Sequence, residues 1–327
     1  MADLFSRIRK RIRMTTTDLR SDLQFSPAFA AARMTANLCG RAGLSKIANK
    51  AGQKKDNFIR NYLEQTLKPV LEQYSADDGI GSYAPDAPIW VCWWTGEETA
   101  PPLVKRCIRS IRENAGSHPV HFITSKNYTD FLQIPSFMLE KVKTKQMGLA
   151  HLADYIRVKL LAEYGGLWLD ATIFCSDTVP ESCFDIPFFT CKSPRQDCGY
   201  VSEMRWVTFC LGGWKGNVFF RFMADAFERY WQECPRAIDY LFFDYIIELA
   251  YNQLPVPRKL IDSVPENNLH RDDLQAAMNA ALPATEFDNV LQPNTVLYKL
   301  SWRESYAEIS ANGQSSIYSF FIRGDKA

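Results

Sequence analysis

The stretch LLAEYGGLWLDAT (residues 160–172) joins the end of a helix to an apolar strand that finishes in a carboxylate. Gly165 and Gly166 are expected to end the helix, because glycine adopts the left-handed backbone found at many helix C-termini. The large apolar residues after them are typical of a buried strand. Asp170 ends that strand, and Thr172 follows two residues later. The pattern predicts that a buried strand delivers a polar group to one edge of a sheet.

The helix before the glycines, in MGLAHLADYIRVKLLAEYG, is apolar around most of its circumference, which predicts burial. It nevertheless contains Asp154 and Arg157, three residues apart on neighbouring turns. Buried charges need partners, so one interpretation is an ion pair that only fixes the helix. Asp170 has a comparable alternative as a turn aspartate after a strand. Taken together, the three residues indicate a shared polar site at the sheet edge.

Neighbouring segments predict the rest of the sheet. PIWVCWW is expected to be a strand, PPLVKRCIRSIRENA a helix and VHFIT a second strand, which is a right-handed parallel unit. LWLDATIF, FFTCKS and WVTFCLGGWKG are further predicted strands, and two aromatic-rich helices follow. We predict an α/β fold with a mainly parallel, Rossmann-like sheet flanked by helices, and ligands at the carboxyl ends of its strands.

The chain is predicted to divide at a linker, SADDGIGSYAPDAP, which is rich in turn-forming residues. Residues 1–80 would form an N-terminal helical appendage and residues 85–327 the α/β domain. The segment LFSRIRKRIRM predicts a basic amphipathic helix, which either lies on an anionic membrane surface or packs on the domain. No stretch reaches the ~20 uninterrupted apolar residues of a membrane span, and no signal peptide is indicated.

Composition excludes several classes of protein. The formal net charge of +1 offers no global electrostatic case for nucleic-acid binding. The nine cysteines include no CxxC pair and no Cys/His cluster, so neither a disulfide framework nor a structural zinc site is indicated, and a reduced cytoplasmic location is expected. The chain has no G-x-S-x-G elbow and no phosphate loop, which argues against a hydrolase or a P-loop phosphotransferase.

A wider stretch, AHLADYIRVKLLAEYGGLWLDAT, resembles the central motif of DxD-type sugar-nucleotide glycosyltransferases with a GT-A-like fold. It is most similar to the capsular polysaccharide synthesis protein branch, in which GGxWxDAT is usual. IWVCWWTGEETAPPLVKRCIRSI is similar to the opening of that family and LYKLSWRE to its closing segment, so the resemblance covers about residues 85 to 310. It implies a retaining hexosyltransferase that moves a sugar from a nucleotide-sugar, with a UDP-sugar favoured, to a polysaccharide or lipid-linked glycan acceptor.

The resemblance also implies roles for individual residues. Trp94 would stack on the nucleobase, and Asp154 and Arg157 would contact ribose, sugar hydroxyls and phosphate. Asp170 corresponds to the first acid of the DxD element, and Asp154, Arg157 and Asp170 are the implied catalytic residues. The donor-binding set comprises Trp94, Asp154, Arg157, Gly165, Gly166, Trp168, Asp170, Thr172, Ser301 and Trp302, with simple packing as the alternative for Trp302.

The second acid of the DxD element corresponds to Thr172, which is the usual residue of this branch. A neutral hydroxyl binds a hard cation more weakly than a carboxylate does. We therefore expect Mn²⁺ or Mg²⁺ to be held by Asp170 and Thr172 mainly together with the nucleotide. The missing acid also leaves an alternative: a catalytically silent nucleotide-sugar-binding scaffold of a polysaccharide assembly complex.

Two further expectations concern the acceptor and the location. Asp239 and Asp244, in AIDYLFFDYII, either contact acceptor hydroxyls or provide negative charge at a helix N-terminus. The basic N-terminal helix would bring the cytoplasmic protein to the inner membrane face as a peripheral contact, where lipid-linked acceptors lie.

Overall fold

The computed structural model describes residues 19–194, 199–281 and 289–323. The basic N-terminal segment of the sequence analysis lies outside these residues. The central sheet is formed by β1 (Ile89–Cys92), β2 (Val120–Ile123), β3 (Gly166–Leu169), β5 (Phe188–Thr190) and β6 (Cys210–Gly213). A second, two-stranded sheet is formed by β4 (Ile173–Cys175) and β7 (Leu297–Lys299).

The central sheet has the strand order β2-β1-β3-β6-β5. β1 pairs in parallel with both β2 and β3, whereas β6 is antiparallel to its neighbours β3 and β5. Four of these five strands therefore run in one direction, which confirms the predicted mainly parallel α/β sheet. The strand order reverses on either side of β1, and α/β sheets bind ligands at such switch points.

Helices cover both faces of this sheet. They are α1 (Pro27–Arg41), α2 (Ser45–Tyr74), α3 (Pro102–Glu113), α4 (Ser136–Lys143), α5 (Leu149–Tyr164), α6 (Val218–Glu233), α7 (Phe242–Gln253), α8 (Pro255–Ser263), α9 (Asp273–Ala277) and α10 (Ile317–Arg323). Because strand side chains alternate, Trp90 and Trp168 enter the hydrophobic cluster with α5, α6 and α7, while Ile89 and Leu167 enter the opposite cluster with α3.

α2 packs against the α/β part of the molecule. Its residues Ile59, Leu63 and Leu67 are buried in the cluster that also contains α6 and α7. Arg60 on α2 forms an ion pair with Glu248 on α7 at 2.8 Å. The predicted division of the chain at residues 80–85 stays a prediction. None of the helices in the described residues has the length and apolar content that a membrane span requires.

The segment LWLDATIF, predicted to be one strand, consists of two strands in different sheets. β3 ends at Leu169, and a turn closed by a hydrogen bond from Ile173 N to Asp170 O (2.8 Å) precedes β4. β4 turns away because it pairs with β7, which the sequence pattern does not show. The prediction of one strand was wrong, and the break places Asp170 and Thr172 on a turn at the sheet edge.

The two glycines are required by the turn between α5 and β3. Gly165 has φ 71° and Gly166 has φ 94°, values that favour glycine. A Cβ on Gly166 would lie 2.1 Å from the carbonyl oxygen of Pro88, so only glycine lets the chain pass there. The expected end of the helix at these residues is confirmed.

Candidate functional site

A cleft of about 630 Å³ opens at the carboxyl ends of β1 and β3, between α5, α7 and the segment after β7. Its volume suits a small-molecule ligand. Of the donor-binding residues expected from the sequence, those that line it are Trp94, Asp154, Arg157, Trp168, Asp170, Thr172, Ser301 and Trp302. Gly165 and Gly166 do not line it, because they lie at the other end of β3, roughly 13–17 Å from Asp170 at ~3.3 Å per residue.

Asp170 accepts three hydrogen bonds on the floor of the cleft. Its Oδ1 accepts from Arg157 Nη2 at 3.1 Å and from Trp168 Nε1 at 3.0 Å. Its Oδ2 accepts from Lys299 Nζ at 3.0 Å. Desolvation raises the pKa of this carboxyl, but Lys299, Arg157 and the hydrogen bonds outweigh it, so the pKa lies below its ordinary value. Asp170 is therefore ionised at neutral pH.

Arg157 lies between two carboxylates and two rings. Its side chain is 5% exposed, with Nη1 3.3 Å from Asp154 Oδ1 and Nη2 bonded to Asp170. The guanidinium lies 4.9 Å from the ring centroid of Trp168 and 5.1 Å from that of Phe243, within cation–π range. Its Nε and Nη1 are buried without a hydrogen-bond partner in the described structure. Such buried donors at a cleft are consistent with an oxygen-rich ligand.

Two acids in the cleft titrate near neutral pH. Desolvation raises the pKa of Asp154 to about 7, against the opposing effect of Arg157 and with help from Asp170 and Asp244. Desolvation also raises the pKa of Asp244 to about 6, although Trp206 Nε1 donates to its Oδ1 at 3.0 Å. Carboxyls with such values can accept or release a proton at physiological pH.

The sequence analysis left two roles open for Asp239 and Asp244, and in the structure these two acids have different surroundings. Asp244 lies in the first turn of α7 and lines the cleft. Asp239 is bonded instead to Arg33 at 2.7 Å and accepts from Leu241 N at 2.9 Å. Asp239 thus ties α1 to the turn before α7, while Asp244 can reach a ligand.

Lys299 is a site residue that the sequence analysis missed. Its Nζ donates to Thr172 Oγ1 at 2.6 Å as well as to Asp170 Oδ2. It lies at the end of β7, and pairing of β7 with β4 brings it beside the turn. The signal available in the sequence was its place in LYKLSWRE, the segment similar to the family's closing segment. Nothing in the spacing of these residues relates it to Thr172.

The residues at this turn do not fit the expected Mn²⁺ or Mg²⁺. Asp170 and Thr172 supply one carboxylate and one hydroxyl, and the ammonium of Lys299 already bridges them. No cluster of three or more His, Cys, Asp or Glu residues suited to a metal ion is found among the described residues. The metal site stays a prediction.

Aromatic side chains form the rim of the cleft. Trp94 is half-buried, and its ring lies 5.3 Å from that of Tyr128. Trp302 is 43% exposed and meets Trp93 edge-on at 5.9 Å. Tyr240 also lines the cleft and is 68% exposed. Exposed rings of this kind provide flat surfaces for a base or a sugar.

Comparison with known proteins gives three findings. The model of the family described as "Capsular polysaccharide synthesis protein" matches residues 42–321. The O-glycosyltransferase braB of Annulohypoxylon truncatum is 28% identical over 160 residues, which are 45% of this chain and 38% of that protein, so the match spans about two-fifths of the relative's length. The solved structure named PaToxG Glycosyltransferase has 14% identity and a TM-score of 0.31, with coverage of 73% of this chain and 95% of that one. That last likeness is too low to support an argument.

Proposed function

Because the chain belongs to the capsular polysaccharide synthesis protein family, we propose that it is a glycosyltransferase that moves a sugar from a nucleotide-sugar to a glycan in capsule or surface polysaccharide synthesis. One observation carries the proposal: Asp154, Arg157 and Asp170 meet in a cleft at the strand-order switch point, beneath an aromatic rim. The proposal also specifies a UDP-sugar donor, a polysaccharide or lipid-linked acceptor, and retention of the anomeric configuration.

The cleft offers a partner for each part of a nucleotide-sugar. The Nε and Nη1 groups of Arg157, which have no hydrogen-bond partner among the described residues, suit the oxygens of a diphosphate, because arginine binds phosphate through several charge-assisted hydrogen bonds. The carboxylate of Asp154 can accept from ribose or sugar hydroxyls. Trp94 provides a half-exposed ring for the base. The exposed ring of Tyr240 is left for the acceptor.

The transfer needs one bond to break and one to form. The bond from the anomeric carbon to the diphosphate breaks, and its electron pair goes to the diphosphate oxygen, where Arg157 stabilises the developing charge. The acceptor oxygen forms the new bond to the anomeric carbon. Its proton passes to Asp244, whose pKa of about 6 and position in the cleft suit a general base.

The first test is thermal unfolding of the full chain with UDP, GDP, CMP and their common sugar conjugates, with and without Mn²⁺. A nucleotide at about 100 times its dissociation constant adds roughly 2.7 kcal/mol. With ~2.1 cal/mol/K of unfolding entropy per residue, this corresponds to a rise of about 4 °C for a chain of 327 residues. Asp154→Ala should lose the shift, and Asp86→Ala, which changes an exposed acid, should keep it.

The same protein and nucleotide-sugars distinguish the transferase proposal from the scaffold alternative. Consumption of the donor that binds, with a capsular polysaccharide or a lipid-linked glycan as acceptor, supports the transferase. Binding without turnover of any donor would favour a silent scaffold, which Thr172 in place of an acid first suggested. A protein that is stabilised by none of the nucleotides would contradict both.

We also propose a cytoplasmic location with peripheral contact at the inner membrane face through the basic N-terminal segment. Lysine and arginine near an anionic surface each contribute about 1 kcal/mol. The segment RIRKRIR carries five such residues in seven. The proposal is tested by flotation with anionic liposomes at low salt.

A further inference from the structure

The turn between β3 and β4 presents two side-chain oxygens to the cleft, and a lysine bridges them. Asp170 Oδ2 lies 3.0 Å from Lys299 Nζ, and Thr172 Oγ1 lies 2.6 Å from the same atom. These are the two residues at which the resemblance to the family implies a divalent cation. The ammonium therefore lies where that cation would bind.

The backbone of Lys299 is fixed by its contacts with neighbouring segments, so the position of this residue does not depend on its flexible side chain alone. It pairs with Ile173 in the β4–β7 ladder, and Leu300 N donates to Thr172 O at 3.0 Å on one side. The backbone N–H of Lys299 donates to Arg271 O at 2.8 Å, and the Nζ of Lys299 lies 4.9 Å from the ring centroid of Phe209. The backbone of β7 thus fixes the lysine beside the turn.

The geometry leaves little room for a metal ion beside the lysine. Magnesium requires oxygens at 2.0–2.1 Å in near-octahedral geometry. An ion shared by Asp170 and Thr172 would occupy nearly the same point as Nζ and would meet a second positive charge. The other carboxylate oxygen of Asp170 already accepts from Arg157 and Trp168. Both oxygens of the carboxylate are therefore engaged without any metal.

The identity of residue 172 agrees with this arrangement. The single carboxylate of Asp170 faces two cations, Arg157 and Lys299, and Thr172 adds a neutral acceptor for a second N–H of Lys299. A second acid at this position would offset the positive charge at the place where a diphosphate has to bind. Threonine is thus a good partner for lysine, although it is a poor ligand for a hard cation.

We propose that Lys299 supplies, at the donor diphosphate, the positive charge expected from Mn²⁺ or Mg²⁺, so that the protein binds and uses its donor without a metal. This rests on the proposed function. Nζ has three N–H groups, of which two donate within the protein, and the side chain is 26% exposed in the cleft. The third N–H bonds a phosphate oxygen. When the bond from the anomeric carbon to the diphosphate breaks, its electron pair goes to an oxygen that Lys299 and Arg157 stabilise, the acceptor oxygen bonds the carbon, and the acceptor proton passes to Asp244.

The test measures binding of UDP, GDP and CDP to the full chain by calorimetry, in excess EDTA and with excess MnCl₂. We expect one diphosphate to bind with a dissociation constant in EDTA within about twofold of that in MnCl₂. Lys299→Ala should weaken this binding in EDTA about 10- to 100-fold, the cost of a charge-assisted hydrogen bond. Lys299→Arg should restore part of the affinity, because it keeps the charge. Lys143→Ala, in which an 80% exposed lysine on α4 changes, is the matched control and should bind like the wild type.

The outcomes separate this inference from the proposed function. Wild-type binding that is lost in EDTA and recovered with Mn²⁺ would overturn the metal-independent role of Lys299 and leave the transferase proposal standing. Unaltered affinity in both Lys299 variants would overturn it too. No binding of any diphosphate in either condition would overturn the function and the inference together. The wild-type comparison needs no variant, so it decides the question even if Lys299→Ala does not fold.

Discussion

Replacing Arg157 with methionine should destabilise the protein by about 3 kcal/mol at pH 8, and by less at pH 5. Removing one partner of a buried ion pair generally costs ~3–5 kcal/mol, because the other charge stays buried without a counter-charge. Asp170 would keep Lys299 and Trp168. Asp154 has no second ion pair among the described residues. The expected cost is at the lower end because only one of the two carboxylates is left unpaired.

The pH dependence follows from the raised pKa of Asp154. A carboxyl with a raised pKa in the folded state holds its proton more tightly than in the unfolded chain. The stability it contributes is present below its unfolded pKa of about 3.9 and is lost as pH rises through its folded pKa of about 7. Arg157 lowers that pKa, so its removal raises the pKa further and enlarges the loss. At pH 5 Asp154 is largely protonated with or without Arg157.

The assay is calorimetric unfolding of Arg157→Met and the wild type at pH 5 and pH 8, without nucleotide. With an unfolding entropy of about 0.7 kcal/mol/K for 327 residues, 3 kcal/mol corresponds to about 4 °C at pH 8. Arg109→Met, at an exposed position of α3, is the control and should change the unfolding temperature by less than about 1 °C. A loss in Arg157→Met that is equal at the two pH values would refute the role assigned to Asp154.

Three further predictions concern the backbone, the chemistry and the membrane. Gly166→Ala should cost more stability in urea unfolding than Gly216→Ala, because both have positive φ but only the first places a Cβ 2.1 Å from a carbonyl oxygen; equal losses would contradict this. Asp244→Asn should lower turnover about 100-fold with donor affinity kept, since the amide cannot take the acceptor proton. Turnover at the wild-type rate would exclude Asp244 as the base. Removing residues 1–18 should abolish flotation with anionic liposomes, and flotation equal to that of the full chain would count against the basic segment.

The site residues close to one another in the sequence were predictable. Asp154, Arg157 and Asp170 come from one helix and the strand after it, so periodicity and a Gly-Gly stop predicted that they meet, whereas a role for Thr172 was implied only by the resemblance to the family. Local pattern also predicted β1, α3 and β2 and their parallel pairing. These elements form from short-range apolar periodicity, which a sequence displays directly.

What was missed depends on long-range pairing. Lys299 lies 129 residues from Asp170, and only the antiparallel β4–β7 ladder brings them together. Because β4 pairs with β7 in this ladder, the segment LWLDATIF, predicted as one strand, forms the two strands β3 and β4. Gly165 and Gly166 were expected among the donor-binding residues because they belong to the motif, but Gly166 serves the close passage beside Pro88 and Gly165 the close passage beside the backbone of Lys215. A motif marks residues that occur together and does not distinguish ligand contact from backbone fit.

The β4–β7 ladder has a consequence for biosynthesis. A growing chain can form β1, β2 and β3 well before β7 leaves the ribosome, because domains are synthesised from the N-terminus and distant pairings form late. Until Leu297–Lys299 emerges, the turn at Asp170 and Thr172 lacks its ammonium counter-charge. The site is therefore completed only after β7 has been synthesised, so a chain released before Lys299 would keep its carboxylates but lack the lysine.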